Sequence, residues 1–339
     1  MKSVILAEVI RGETVESVHR GHVVILDGDG KPIFTAGDPD TFTFIRSSGK
    51  PFQAMPFITS GAADHFGFNE EEIALACASH SGEPVHVRIA AQMLEKAGFT
   101  ESDLRCGAHL PFNEAEAERM LRSGEQPTQL HNNCSGKHAA MLAFAKHIGA
   151  DTTCYDSPRN PIQQTILQTM AEFAEYPADK IQIGIDGCSA PNFAMPLWAM
   201  ARSFANLINP PTSFDPKARD ACRRIVSALA NHPELIGGTG RLDTIIMQAA
   251  PGVLISKVGA EGVWLCAVLP NDKYPTGLSI ALKIEDGNDH RARPVVAVEV
   301  LKRLRVLPPG SLPNLSPMSI TNRRSNVIGR IEISNSLHI

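Results

Sequence analysis

The chain has 339 residues, 43% of them apolar and 20% charged, and 32 Lys and Arg against 36 Asp and Glu give a formal net charge of -4. This is the composition of an ordinary globular protein, long enough for one large domain or two smaller ones. The near balance of charge, with no basic run or stripe, argues against a nucleic-acid partner. No apolar run approaches the roughly 20 residues needed to cross a bilayer.

The N-terminus, MKSVILAEVIRGE, has one lysine and a short apolar run broken by Glu8, and it reads as a first strand rather than an export signal. Val4 to Ile10, His22 to Asp27 and Pro32 to Thr35 are β-rich runs, the last two joined by the hairpin signal Asp27-Gly28-Asp29-Gly30. Arg46-Ser47-Ser48-Gly49-Lys50-Pro51-Phe52-Gln53 follows and leads into a helix through Ile58. From residue 69 to about 235 helix signals dominate. Asn69 with three glutamates opens one helix, and Pro84 opens another closed by Gly98. Asn113 with Glu116 begins a third, which stops at Gly124. Further helices fit Lys137 to Ile148, Pro158 to Ala174, and Pro216 to Ala230 with Asp215 as its cap. Val253 to Val258 and Val263 to Val268 are strands around the turn Gly259-Ala260-Glu261-Gly262. Leu278 to Ile284 and Val327 to Ile333 are strands, and residues 289 to 304 are helical. The expected architecture is α+β in a single domain, 1–339. A mainly antiparallel sheet comes from about 1–60 and 240–339, flanked by helices, with a helical region over about 61–239.

Ser47 and Lys50 are three apart, which on a helical turn puts hydroxyl and amine on one face. A lysine can take a serine proton only if its own charge is disfavoured, by burial or by a second cation such as Arg46. S-x-x-K is also the acyl-serine motif of β-lactamases and penicillin-binding proteins, which carry a K-T-G later in the chain. Here Lys257-Val258-Gly259 lies on a strand before a hairpin, while their S-D-N element has no clear counterpart. Ser79-His80-Ser81 or the Asn132-Asn133 region would have to serve. Two serines and two lysines are therefore available for one site, Ser47 with Lys50 and Ser79 with Lys257. Pro51 disfavours helical angles at Lys50, so Ser47 and Lys50 are expected to meet across a turn.

Seven cysteines, an odd number and widely spread, fit reduced thiols in a cytoplasmic protein. Cys134 and Cys188 sit among glycines and polar residues, in His131-Asn132-Asn133-Cys134-Ser135-Gly136-Lys137-His138 and Asp186-Gly187-Cys188. Two thiolates with a nitrogen and a water would make an acceptable tetrahedral zinc site. His131, His138 and Lys137 are the candidate nitrogens, and chemistry alone favours a histidine because a lysine must first lose its proton.

With these segments assembled, the chain resembles the Rhizobium-type L-asparaginases, the L-asparaginase II family, nearly from end to end. The motifs are Arg46-Ser47-x-x-Lys50-Pro51-x-Gln53, Ser79-His80-Ser81-Gly82-Glu83, His131-Asn132-x-Cys134-Ser135-Gly136-Lys137-His138, Asp186-Gly187-Cys188 and Lys257-x-Gly259-Ala260-Glu261-Gly262. The resemblance implies a fold like that of serine β-lactamases and glutaminases, and a homodimer. It implies Ser47 paired with Lys50, Ser79 with Lys257, and zinc held by Cys134, Lys137 and Cys188 plus a water, overruling the histidine. Arg46 and Asp186 are implied at the substrate. The expected activity is hydrolysis of the side-chain amide of L-asparagine through a Ser47 acyl-enzyme, with the two serines exchanged as an alternative. The remaining readings are a glutaminase, a β-lactam or peptide amide hydrolase, and a non-catalytic zinc-binding protein.

Overall fold

The computed structural model describes residues 2–335 and Leu337. Among them the strands are β1 (Val4–Arg11), β2 (Thr14–Asp27), β3 (Pro32–Ala36), β4 (Phe42–Phe44), β5 (Gln182–Ile185), β6 (Pro191–Pro196), β7 (Leu254–Val258), β8 (Val263–Val268), β9 (Leu278–Ile284), β10 (Met318–Thr321) and β11 (Val327–Ile333). The helices are α1 (Lys50–Thr59), α2 (Ala62–His65), α3 (Glu70–Ala76), α4 (Pro84–Ala97), α5 (Glu114–Ser123), α6 (Ser135–His147), α7 (Pro161–Ala174), α8 (Leu197–Ile208), α9 (Pro216–Asn231), α10 (Pro233–Ile236), α11 (Leu242–Ala249) and α12 (Ala292–Arg303). No helix among the described residues is long and apolar enough to cross a membrane.

The chain falls into two compact units, the first made of Met1–Thr43, Pro196–Asn209 and Ile246–Ile339. Its sheet runs β10-β11-β1-β2-β9-β8-β7, with β3 on β2, and every pairing is antiparallel. The two ends of the chain meet here, β1 lying between β11 and β2. In β7 and β8 every residue is buried, a pattern that requires cover on both faces. Helix α8 packs on β2, β8 and β9, and α12 on β1, β8, β9 and β11. Thus α8, which sequence placed in the helical stretch, belongs with the sheet.

The second unit, Phe44–Met195 and Pro210–Ile245, is mostly helical. Helix α1 is its axis, buried from Lys50 to Ile58 and packed against α6, α7 and α9. Local signals set its helix ends. Asn69 and Glu72 form a reciprocal capping box on α3, the Asn113 side chain accepts from Glu116 N–H, and Gly98 and Gly124 close α4 and α5 in the left-handed conformation. The largest local departure is at Lys50. It is helical, at φ -60° and ψ -34°, so Pro51 is tolerated in the first turn, where its missing N–H costs nothing. A short 3-10 helix, Arg46–Gly49, runs straight into α1.

Candidate active site

Four segments of the helical unit carry the predicted residues other than Lys257. The first is the 3-10 helix entering α1. Arg46 adopts the left-handed φ of 54°, unusual for a long side chain, and is held there by Asn192 Oδ1 accepting its N–H at 3.1 Å. Its guanidinium pairs with Asp186 at 3.0 Å, both side chains half-buried. Ser47 follows, partly accessible, and its hydroxyl makes no hydrogen bond among the described residues. Lys50 is wholly buried and does not bond Ser47; its Nζ donates to the carbonyls of Ala78 at 2.5 Å and Asn133 at 3.1 Å.

The second segment is the loop after α3. Ser79 is buried, and its Oγ accepts from Asn133 Nδ2 at 2.8 Å. The next histidine pins the loop. His80 Nδ1 accepts from Gly82 N–H at 3.1 Å, and its Nε2 lies 2.9 Å from Ser135 Oγ, which itself donates to Leu130 O. A ring used as acceptor on one side must be neutral, and burial, then His86 and Lys50, hold His80 well below the ordinary imidazole range. His80 and His86 stack at 4.9 Å, and His86 is also lowered by burial.

Helix α6 supplies the third segment. A Cβ at Gly136 would sit 2.4 Å from Leu75 O, so only glycine lets the first turn of α6 press onto α3. That approach brings Asn133, Cys134 and Lys137 beside the Ser79 loop. The fourth segment is the turn between β5 and β6, closed by Asp186 N–H to Ala190 O and Ser189 N–H to Asp186 O, both 2.9 Å, with Ser189 at φ 70°. It carries Asp186 and Cys188.

Lys137 Nζ donates to Cys188 Sγ at 3.1 Å. The hydrogen bond from the Cys134 thiol, ahead of the Lys137 charge and His138, holds Cys188 well below the ordinary thiol range despite burial. Cys134, which keeps the proton, is pushed well above it. Burial disfavours the Lys137 ammonium, yet the Cys188 and Cys134 sulfurs raise it overall. The donor set of two sulfurs and a nitrogen fits the zinc that the motifs imply. Among the described residues no three His, Cys, Asp or Glu side chains are placed to hold a metal, so Lys137 would be needed as the third donor. Of the histidines that chemistry favoured, His131 Nδ1 accepts from Thr128 N–H, and His138 Nδ1 is 2.7 Å from Tyr155 Oη.

Lys257 is in the sheet unit, wholly buried on β7, with Nζ donating to Val258 O at 3.3 Å. The Gly259–Gly262 turn beside it has the expected form, with positive φ at Glu261 and Gly262. Asn133, named in the sequence only as part of the Asn132-Asn133 region, joins the cluster together with His109, which was not singled out. Their places depend on contacts that lie 24 and 54 residues apart in sequence, which no local pattern reports.

The α+β fold thus carries hydroxyls, buried amines and thiols in one helical unit. The chain matches the L-asparaginase II family over residues 7–333 and belongs to it; it is a hydrolase acting on amides. No curated protein matches the chain. Among solved structures it is similar to Mglu in its native form, at 14% identity and TM-score 0.44, covering 89% of this chain and 68% of that one. It is also similar to a probable glutaminase from Bacillus subtilis complexed with 6-diazo-5-oxo-L-norleucine (12%, TM-score 0.39, 84% and 83%). A beta-lactamase from Mycobacterium bovis is a third (12%, TM-score 0.41, 83% and 93%).

Proposed function

We propose that this chain hydrolyses the side-chain amide of L-asparagine to L-aspartate and ammonia. The observation that carries the reading is the Arg46–Asp186 ion pair next to Ser47 in sequence. A guanidinium and a carboxylate side by side complement the carboxylate and ammonium of a free amino acid, and family membership supplies the amide as reacting group.

In the proposed reaction Ser47 Oγ attacks the amide carbon and its proton passes to the Lys50 amine, which must be neutral to take it. The carbon–nitrogen bond then breaks, the leaving nitrogen takes a proton relayed by Ser79, and ammonia departs. Water hydrolyses the resulting ester, returning the proton to Ser47 and releasing aspartate. Lys257 is proposed as a second basic residue of the reaction. A second reading exchanges the serines. It is supported by Ser79, and not Ser47, being hydrogen-bonded among the groups that surround Lys50.

Zinc is proposed on Cys134, Lys137 and Cys188, where its charge would help fix the substrate's polar ends. Lys137 would give up its proton on binding. A homodimer is proposed from the family resemblance, and light scattering of the purified protein tests it.

Ammonia release from L-asparagine and L-glutamine, beside a chromogenic β-lactam, tests the substrate. Faster turnover of either alternative overturns the asparagine assignment. An asparagine-like electrophile should leave its mass on the peptide containing Ser47. An adduct on Ser79 reverses the serines, and none on either in active enzyme removes the acyl-serine mechanism.

A further inference from the structure

One residue of the helical unit touches both halves of the serine–amine chemistry. The Asn133 backbone carbonyl accepts from Lys50 Nζ at 3.1 Å, and its side chain donates from Nδ2 to Ser79 Oγ at 2.8 Å. Its own position is fixed from the other side. Asn133 N–H donates to His109 Nε2 at 3.1 Å, while His109 Nδ1, 2.7 Å from Leu110 O, carries the ring proton. Asn133 Oδ1 meets the Cys134 thiol at 3.7 Å. The residue is therefore braced by an imidazole behind it and tied to the thiol cluster beside it.

We propose that Asn133 is the positioning residue of Ser79, setting both the direction of its hydroxyl proton and its place relative to the Lys50 amine. An amide N–H that occupies one lone pair of the serine oxygen leaves that hydroxyl to donate elsewhere. A serine so held gives or relays its proton along one direction, and it need not search for it at each turnover. The proposal rests on the amide-hydrolase reading for its chemistry, but it holds whether Ser79 attacks or relays. It also favours the Asn132-Asn133 region over Ser79-His80-Ser81 as the polar element placed between serine and lysine.

The test is a double-mutant cycle with two readouts, ammonia release and labelling of Ser79 by a serine-directed fluorophosphonate followed by peptide mass. Asn133→Ala is expected to lower kcat and the labelling rate by about tenfold or more with little change in KM. In a Ser79→Ala background the same substitution should have no further effect on kcat, because its action passes through Ser79. Asn133→Asp keeps the shape and loses the donor, so it should do no better than alanine. Losses that multiply in the double variant, native labelling of Ser79 in Asn133→Ala, or wild-type activity in Asn133→Asp would each overturn the proposal. Labelling that responds to Asn133 in a protein releasing no ammonia from any amide would instead overturn the substrate reading and leave this one standing.

Discussion

Lys50 and Lys137 both sit buried in the first turn of a helix in the same unit, yet their surroundings differ in kind. The partners of Lys50 are two backbone carbonyls, which carry dipoles but no net charge. The partner of Lys137 is the sulfur of Cys188, held as an anion by Cys134 and by Lys137 itself. The carbonyls bring no net charge to Lys50, whereas, against burial, the Cys188 and Cys134 sulfurs raise the Lys137 amine above its ordinary range. The proposed reaction assigns proton transfer to the first end and the metal ion to the second.

The widest break in that comparison would come from removing the amines. Lys50→Met is expected to fold, by circular dichroism, and to lose roughly 100- to 10,000-fold in turnover, the usual cost of a lost general base. Lys257→Met is expected to lose most activity as well. A folded Lys50→Met protein with near-native turnover would remove Lys50 from the mechanism. At the other end, Cys134→Ser, Cys188→Ser and Lys137→Met should each release about one zinc per chain and raise KM more than they lower kcat. Elemental analysis of the native protein and the variants reads the first effect. Native protein without metal would reduce the thiol end to a charge pair.

The smallest expected effect is on stability and comes from a histidine at each end. Burial lowers both His80 and His138, at His138 against an opposing pull from Cys188. In the unfolded chain these rings take up protons below about 6.5, while in the folded chain they resist until lower pH. Unfolding therefore binds protons in that window, and stability should fall as pH drops through it, by up to about 1.4 kcal/mol per pH unit for each ring. Urea midpoints at successive pH values measure this, and His80→Gln should flatten the slope. A midpoint that does not change from neutral to mildly acid pH would show that neither ring is held neutral by the fold.

Much of this was written in short stretches of sequence. The strands Leu278–Ile284 and Val327–Ile333, the Asn69 and Asp215 caps and the Gly98 and Gly124 stops are decided by side-chain alternation and by groups within a turn of each other. The first half of β2, Thr14–Gly21, was not legible because most of it is exposed and polar, so no apolar alternation marks it. The motif residues Arg46, Ser47, Lys50, Ser79, Cys134, Lys137, Asp186 and Cys188 could be singled out from the chain, but not their partners. Sequence paired Lys50 with Ser47, three residues away. What sequence could not report is that its amine donates to the carbonyls of Ala78 and Asn133, because α1 is buried along its length and Gly136 lets α6 close against α3. Likewise a histidine is the better zinc ligand on chemical grounds, and the family resemblance alone puts Lys137 there. Packing sets Lys137 against Cys188 and gives the His131 and His138 Nδ1 atoms other partners, while His138 Nε2 has no hydrogen-bond partner among the described residues. Local chemistry fixes which groups exist and which way a helix begins. Which buried amine meets which oxygen or sulfur depends on contacts between segments far apart in the chain, and these exist only once the helices have packed.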